Sequence, residues 1–558
     1  MVKARKKIDN RAIEYAAMCE IEAAKNAYDN YAMKECLEQI EKALNILQNA
    51  DDSDYEIGVV AVGTLDIKLN ALEWLGRYSE AEEVAFEILK TADKHQDLKM
   101  KVFAYNRIGY ALNLVGKYDQ ARSWSLKSLE ITKSLNDDDG LSVCYNNLGI
   151  SADAIGKYDE AVDWYMSSIE ISKKLKDIPN LAGQYNNMGS LKRLMGNYDE
   201  ALDWHMKSFE ISTALNDHVG KGNCYNFLGN VNDSMGKYEE AIVFYLKSLE
   251  IRENLDDQAG IAMCYNNLGI SKKETGKYKE AILCYQKSFE IIQSLNDDVS
   301  LARYYLNLGN IKRSTGKYND AIDLYFRSLE IYTRLNSSVD IAKCYNNVGI
   351  AKELMGKYEE ALDWSKKSLE IYSSLNDSLL LAWCYDTLAN IKKSLGEYDK
   401  ALEWCQKALE IYLRINNSEG LANCYNNLGN ITVLMGKYDE AVEWHLKSIE
   451  IFKSLNNRLA LADCFNSLGI VFTSSGKLAE AMDIYFQGLE LLENTDVLRI
   501  KGLLYISIAE NYSKMNDLSL ALSYYEKAKP IFVNIDNVQQ LAKINECIEG
   551  LKNGYVND

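Results

Sequence analysis

Twelve cysteines and four histidines are the side chains of this 558-residue sequence best suited to chemistry. Seven of the cysteines, Cys144, Cys224, Cys264, Cys344, Cys384, Cys424 and Cys464, fall at multiples of 40 residues. Such an array invites a metal or redox reading, but no two cysteines have the C-x-x-C spacing of a metal-ligand pair. Equivalent atoms on adjacent packed helices lie ~10 Å apart, and a disulfide needs Cα atoms within ~7 Å. Small buried thiols in a reduced compartment are therefore expected. His205 and His445 occupy equivalent aromatic positions of two repeats, where packing explains them, and His95 and His218 have no partner motif. There is no Ser-His-Asp set, no Gly-rich phosphate loop and no metal motif. Acidic turns such as Asn136-Asp-Asp-Asp-Gly140 lack the alternating ligand spacing of a calcium loop. The expectation is a non-catalytic protein with no cofactor and no metal.

Other residues are placed for recognition. One column holds Asn106, Asn146, Asn186, Asn226, Asn266, Asn346, Asn426 and Asn466, interrupted by Leu306 and Asp386. Four residues further on stand Asn230, Asn310, Asn390 and Asn430, with isoleucine in several other units. An asparagine offers one acceptor and two N–H donors, so a ladder of them can pair with the backbone of an extended peptide without reading its side chains. Each bond contributes ~0.5–1.5 kcal/mol net. The same ladder could instead bond the neighbouring unit and hold the stack in register, or be a relic of duplication. The next column varies: Asp153, Arg193, Asp233, Lys273, Arg313, Glu353 and Lys393. It either selects a partner of complementary charge or pairs with itself across adjacent units. Trp383 is the one aromatic in a further variable column from Val143 to Asp463, a candidate anchor or a packing residue.

These columns exist because the chain is periodic. The string Gly-Lys-Tyr-(Asp/Glu)-Glu-Ala, or a near copy, begins at Gly116 and recurs every 40 residues to Gly476. Gly76-Arg-Tyr-Ser-Glu-Ala81 and Asn516-Asp-Leu-Ser-Leu-Ala521 extend it by one copy at each end, and a degenerate copy around Lys34 precedes them, so thirteen units are expected. Each unit reads as two helices. From about Leu141 to Ile155, Tyr145, Leu148, Gly149 and Ala152 share one face; Gly156 ends that helix, and a second runs from about Asp159 to Leu175. The mid-helix glycine costs about 1 kcal/mol against alanine, which close helix–helix approach would offset. Trp124, Trp164, Trp204, Trp364, Trp404 and Trp444 form a column on the second helix suited to packing.

This pattern resembles the tetratricopeptide repeat: Tyr145, Leu148, Gly149, Ala161, Tyr165 and Ser168 stand at its signature positions. The proline usual near the end of that repeat is absent, Lys173 standing in its place, and the longer unit is similar to those of the LGN/Pins family, kinesin light chains and bacterial peptide-sensing regulators. The resemblance implies an all-α fold, a right-handed α-solenoid whose first helices line a concave groove. It places Val143, Asn146, Ile150 and Asp153 in that groove and implies a protein or peptide partner there, held as an extended or helical segment. The implied function is a scaffold or adaptor; alternatives are a peptide- or ligand-sensing regulator, or an accessory subunit of a separately encoded enzyme.

The net charge of -18 disfavours nucleic acid as a partner. No membrane insertion is expected from any stretch, and no signal-peptide-like apolar segment follows the basic N-terminus, so a cytoplasmic location is expected. The expected organisation is a repeat array over residues 8–535, a capping helix over 536–553, and loose ends at 1–7 and 554–558. Pro530 should kink the last second helix. Oligomeric state is not legible.

Overall fold

The computed structural model describes residues 2–554, apart from 30, 31, 52, 76, 296, 297, 336, 376, 377 and 494–497. Among the described residues there are 27 helices, arranged as thirteen consecutive antiparallel pairs and a terminal helix, Val538–Gly554. Gly76, Met1 and residues 555–558 lie outside the described residues.

The unit at Asp138–Leu175 shows why the sequence folds this way. Asp137 caps the first helix by accepting the Gly140 N–H, and the helix runs from Asp138 to Ala154. Gly156 then takes a left-handed φ of 73°, and the second helix runs from Tyr158 to Leu175. Asn136 and Lys176 close the preceding and following turns at φ 51° and 57°. The mid-helix glycine does what close approach requires. A Cβ on Gly149 would stand 2.5 Å from the Tyr165 ring of the partner helix, and Gly269 meets Tyr285 at 2.4 Å. Ala161 and Ser168 are fully buried beneath them.

Two expectations at the ends need correction. Residues 2–7 are helical: the first helix starts at Val2, because Val2-Lys-Ala-Arg-Lys-Lys contains no helix breaker and is rich in good helix formers. The helix Leu518–Asn534 contains Pro530 and buries Ala521, Tyr525, Ala528 and Phe532. The terminal helix ends at Gly554, one residue beyond the expected boundary.

First helices of successive units touch one another and form the inner layer. The stack winds so that each unit meets the one six units later. Asn417 Nδ2 donates to the Leu194 carbonyl at 3.0 Å, Asn457 to Ser234 at 3.4 Å and Asn537 to Ser314 at 3.0 Å, each across 223 residues. Tyr198 Oη donates to Glu419 at 3.2 Å, and Lys317 Nζ lies 2.5 Å from Asp536. The turn glycines are buried in this seam: Gly196 lies against Ser418 and Leu455, and Gly276 against Leu498 and Ile535. One hydrophobic cluster joins Tyr158 and Met195 to Ile411 and Ile415. Two superhelical turns are thus in lateral contact, and the groove of the first turn is closed along its upper edge.

Candidate functional site

The candidate site is the set of cavities lined by the first helices. Near its start a cavity of about 630 Å³ is lined by side chains of four successive first helices, from Asn70 and Glu73 through Arg107 and Asn146 to Gln184. Val143, Asn146, Ile150 and Asp153, on one helical stripe, all reach it. A second cavity of about 520 Å³ in the other turn gathers Ile350, Glu353, Trp383, Asn390, Lys393 and Asn426. A third, of about 290 Å³, includes Asn266 with Trp74 and Arg303. Volumes of this order suit a short peptide stretch or a small ligand.

The asparagine columns are tied to neighbouring units or within their own. Asn187 Nδ2 donates to Asn146 Oδ1 at 2.9 Å, Asn267 to Asn226 at 2.7 Å and Asn307 to Asn266 at 2.7 Å. Asn147 donates to the Asn106 carbonyl at 2.9 Å, while Asn106 Oδ1 receives the Cys144 thiol. Asn346 donates to Thr387 Oγ1 at 3.1 Å. Asn186 and Asn426 face His205 Nδ1 and His445 Nδ1 at 3.0 and 2.9 Å, so those nitrogens carry the proton. Burial holds both imidazoles neutral, pulling His205 down to about 3 and His445 to about 4. Asn466 is buried. One turn further, Tyr245 Oη donates to Asn230 at 2.8 Å, Tyr325 to Asn310 at 2.9 Å, and Lys393 Nζ to Asn390 at 2.8 Å. Asn430 is half-buried.

The column of charges is used in the same way. Arg193 Nη1 donates to Ser234 of the next unit at 3.1 Å. Asp233 accepts from Ser271 of the next unit at 2.7 Å and from Tyr245 at 2.8 Å. Glu353 accepts from Ser394 at 2.7 Å, Arg313 donates to Asn347 at 3.4 Å, and Lys273 pairs with Glu274 at 2.5 Å. Burial dominates their titration. It lifts Asp153 to about 7 against the opposing Arg193, and Asp233 to about 6 despite its hydrogen bonds. It also lowers the Lys393 ammonium, which Glu353 opposes. Trp383 lines the second cavity beside Asp386, whose carboxyl burial raises to about 6.

The sequence reading missed two groups. The neighbouring column of Asn147, Asn187, Asn267 and Asn307 supplies the donors of these inter-unit bonds, and the Tyr-Asn-Asn string at the first three was its signal. The knot in which Arg107 forms an ion pair with Asp66 at 2.9 Å and reaches Glu73 at 3.6 Å falls outside the regular pattern. Burial raises Glu73 there to about 7.

The seven periodic cysteines are buried free thiols. Cys144, Cys224, Cys264 and Cys344 donate to Ser128, Ser208, Ser248 and Ser328 of the preceding helix. The tryptophan column packs on the first-helix tyrosines, as in Tyr145–Trp164 with centroids 5.3 Å apart, and Lys127, Lys207, Lys367, Lys407 and Lys447 cover Trp rings of their own helices. Among the described residues no group of three or more His, Cys, Asp or Glu could hold a metal ion, and no helix is long and apolar enough to cross a membrane.

No curated protein sequence matches the chain significantly. Among solved structures, it is similar to a Rap protein complexed with competence and sporulation factor, at 19% identity and TM-score 0.46, over 65% of this chain and 99% of that one. It is also similar to yeast Tom70, at 14% identity and TM-score 0.40, over 83% and 97%. A third is aspartyl phosphate phosphatase F from Bacillus subtilis, at 16% identity and TM-score 0.40, over 63% and 93%. The tetratricopeptide repeat model matches eight overlapping stretches, 102–174, 181–254, 234–294, 260–334, 300–374, 340–414, 379–454 and 420–494, which with the helix-pair solenoid makes this chain a member of the tetratricopeptide repeat family.

Proposed function

We propose that the protein is a non-catalytic interaction scaffold that holds an extended or helical segment of a partner protein in its lumen. The observation that carries this reading is the lining of the first cavity: polar groups of four successive first helices, Asn70, Arg107, Asn146 and Gln184 among them, converge on one space. A segment lying there meets donors and acceptors at each unit it passes. The asparagine ladder serves two ends in this scheme. Its oxygens hold the units in register, and Asn146 and Asn266 of the same column also line cavities that a partner could enter. Asp153, a carboxyl that burial keeps protonated up to about pH 7, and Trp383, an aromatic face, are the residues that select it, one in each turn.

Site-specific photocrosslinking tests this. A crosslinker at Val143 or Trp383 should trap a polypeptide from the native host. One at Glu130 or Glu410, on the outer faces of second helices, should not. Trapping only from the outer positions would remove the lumen as the binding site. A partner bound by an unchanged scaffold raises the forward scattering but leaves the maximum dimension as it was, whereas a ligand that changes the pitch shifts that dimension and would favour the sensing alternative.

A further inference from the structure

The cavity near the start of the array offers acceptors and keeps few donors. Three buried oxygens of its lining, Glu73 Oε1, Asp153 Oδ1 and Gln184 Oε1, have no hydrogen-bond partner among the described residues. Buried polar atoms are nearly always paired, so three around one space call for an explanation. Gln184 is only 5% exposed, and its amide donates to Ser142 Oγ at 3.0 Å and Ser172 Oγ at 2.8 Å, which leaves its oxygen over. The only Lys or Arg of the lining is Arg107, and Asp66, Glu73 and Asn70 already hold it. Arg193, which faces Asp153 from the next unit, donates onward to Ser234. Burial lifts both carboxyls to about 7, Glu73 against Arg107 and with Asp66 adding to the rise, Asp153 against Arg193. Carboxyls desolvated in this way favour any further cation brought beside them.

The helix Ile178–Leu194 breaks the repeat pattern at this cavity. Gln184 stands in the column of Cys144, Cys224 and Cys264, and Gly183 in that of Val143, Met263 and Trp383. Gly149 and Gly189 sit where the rings of Tyr165 and His205 leave no room for a Cβ, whereas an added Cβ on Gly183 meets nothing within 4 Å. A glycine inside a helix weakens it, and no close approach requires this one. Gly183 lines the cavity, so its missing side chain keeps that space open.

Glu73 and Asp153 hold the same helical position two 40-residue units apart. With packed helices ~10 Å apart, on the order of 20 Å separates them, the span of about six residues of extended chain. The side chains that are donors only are lysine and arginine, and their bonds to carboxylates are the strong, charge-assisted kind. The net charge of -18 favours their approach.

Building on the reading of these cavities as the partner's seat, we propose that this one selects a basic segment, whose lysine or arginine side chains, about six residues apart, donate to Glu73 and Asp153, with the Gln184 oxygen as a third acceptor. The test is a selection of random dodecapeptides displayed on phage against the immobilised full-length chain. The binders should be rich in arginine and lysine. As free labelled peptides in fluorescence anisotropy, they should bind Glu73→Gln/Asp153→Asn about tenfold or more weakly than wild type. They should not bind Gly183→Phe, whose ring enters the cavity and whose helicity by circular dichroism should match wild type. Binders with no excess of basic residues, or basic binders that the Gln/Asn variant holds as tightly as wild type, overturn the basic-segment inference; if Gly183→Phe still abolishes them, the cavity remains the seat. Binders that Gly183→Phe and the Gln/Asn variant both hold normally lie elsewhere and overturn both readings, as does a selection that enriches no peptide.

Discussion

Replacing Asp153 by Asn should raise stability in alkaline solution and leave it almost unchanged in acid. The Asp153 carboxyl lines the first cavity, and its Oδ1 is buried with no hydrogen-bond partner among the described residues. Burial lifts its pKa from 3.8 to about 7, with Arg193 pulling the other way. In the unfolded chain it ionises near 3.8. Between those two values the folded state keeps a proton that the unfolded state has lost. Stability therefore falls as pH rises through that window and stays reduced above it. At 1.36 kcal/mol per pH unit the full interval is about 4 kcal/mol. Water at the lumen wall and the cost of seating an amide bring the gain from Asn to about 2–3 kcal/mol at high pH. The assay is guanidinium unfolding followed by helicity at pH about 4 and about 8.5, with hydrogen exchange over Asp138–Ala154 and Ile178–Leu194, because a long array opens in segments. If wild type and variant differ by the same amount at both pH values, burial of this carboxylate is not what sets its ionisation.

Two glycine substitutions should move stability in opposite directions. Gly269→Ala drives a methyl to 2.4 Å from the Tyr285 ring and should cost about 1–3 kcal/mol in thermal or denaturant unfolding. Gly63→Ala, inside the helix Tyr55–Trp74 with nothing within 4 Å, should stabilise by up to about 1 kcal/mol; the same sign for both would refute the packing argument. In a thiol titration, Cys19 should react at once, and the ten buried cysteines only as the chain unfolds. Burst labelling of Cys144 or Cys264 in the native protein, read by mass spectrometry, would contradict the packing drawn for them.

The helix pairs were legible because each depends on neighbours within a few residues. Asp137, Gly156 and Ala161 cap, turn and pack within one unit, and their 40-residue recurrence repeats the same local solution. The stripe carrying Val143, Asn146, Ile150 and Asp153 followed from helical geometry and does line one cavity. What each asparagine bonds was not legible. A single Asn146 has donors and acceptors for a ligand or for a neighbour, and only the rise and rotation between units bring Asn187 within 2.9 Å of it. The Arg107 knot escaped for a related reason, since its partners Asp66 and Glu73 belong to a unit whose sequence has drifted from the rest.

The sequence alone thus determined the helices, their pairing, the thirteen-fold stack and the face each first helix turns inward, because all of these are settled by contacts within a unit or with the next. The closure of the lumen was decided by tertiary structure. A small rotation per unit, accumulated over six units, sets Asn417 against Leu194 and Asn457 against Ser234. That accumulated angle depends on every interface in between, so no local pattern reports it.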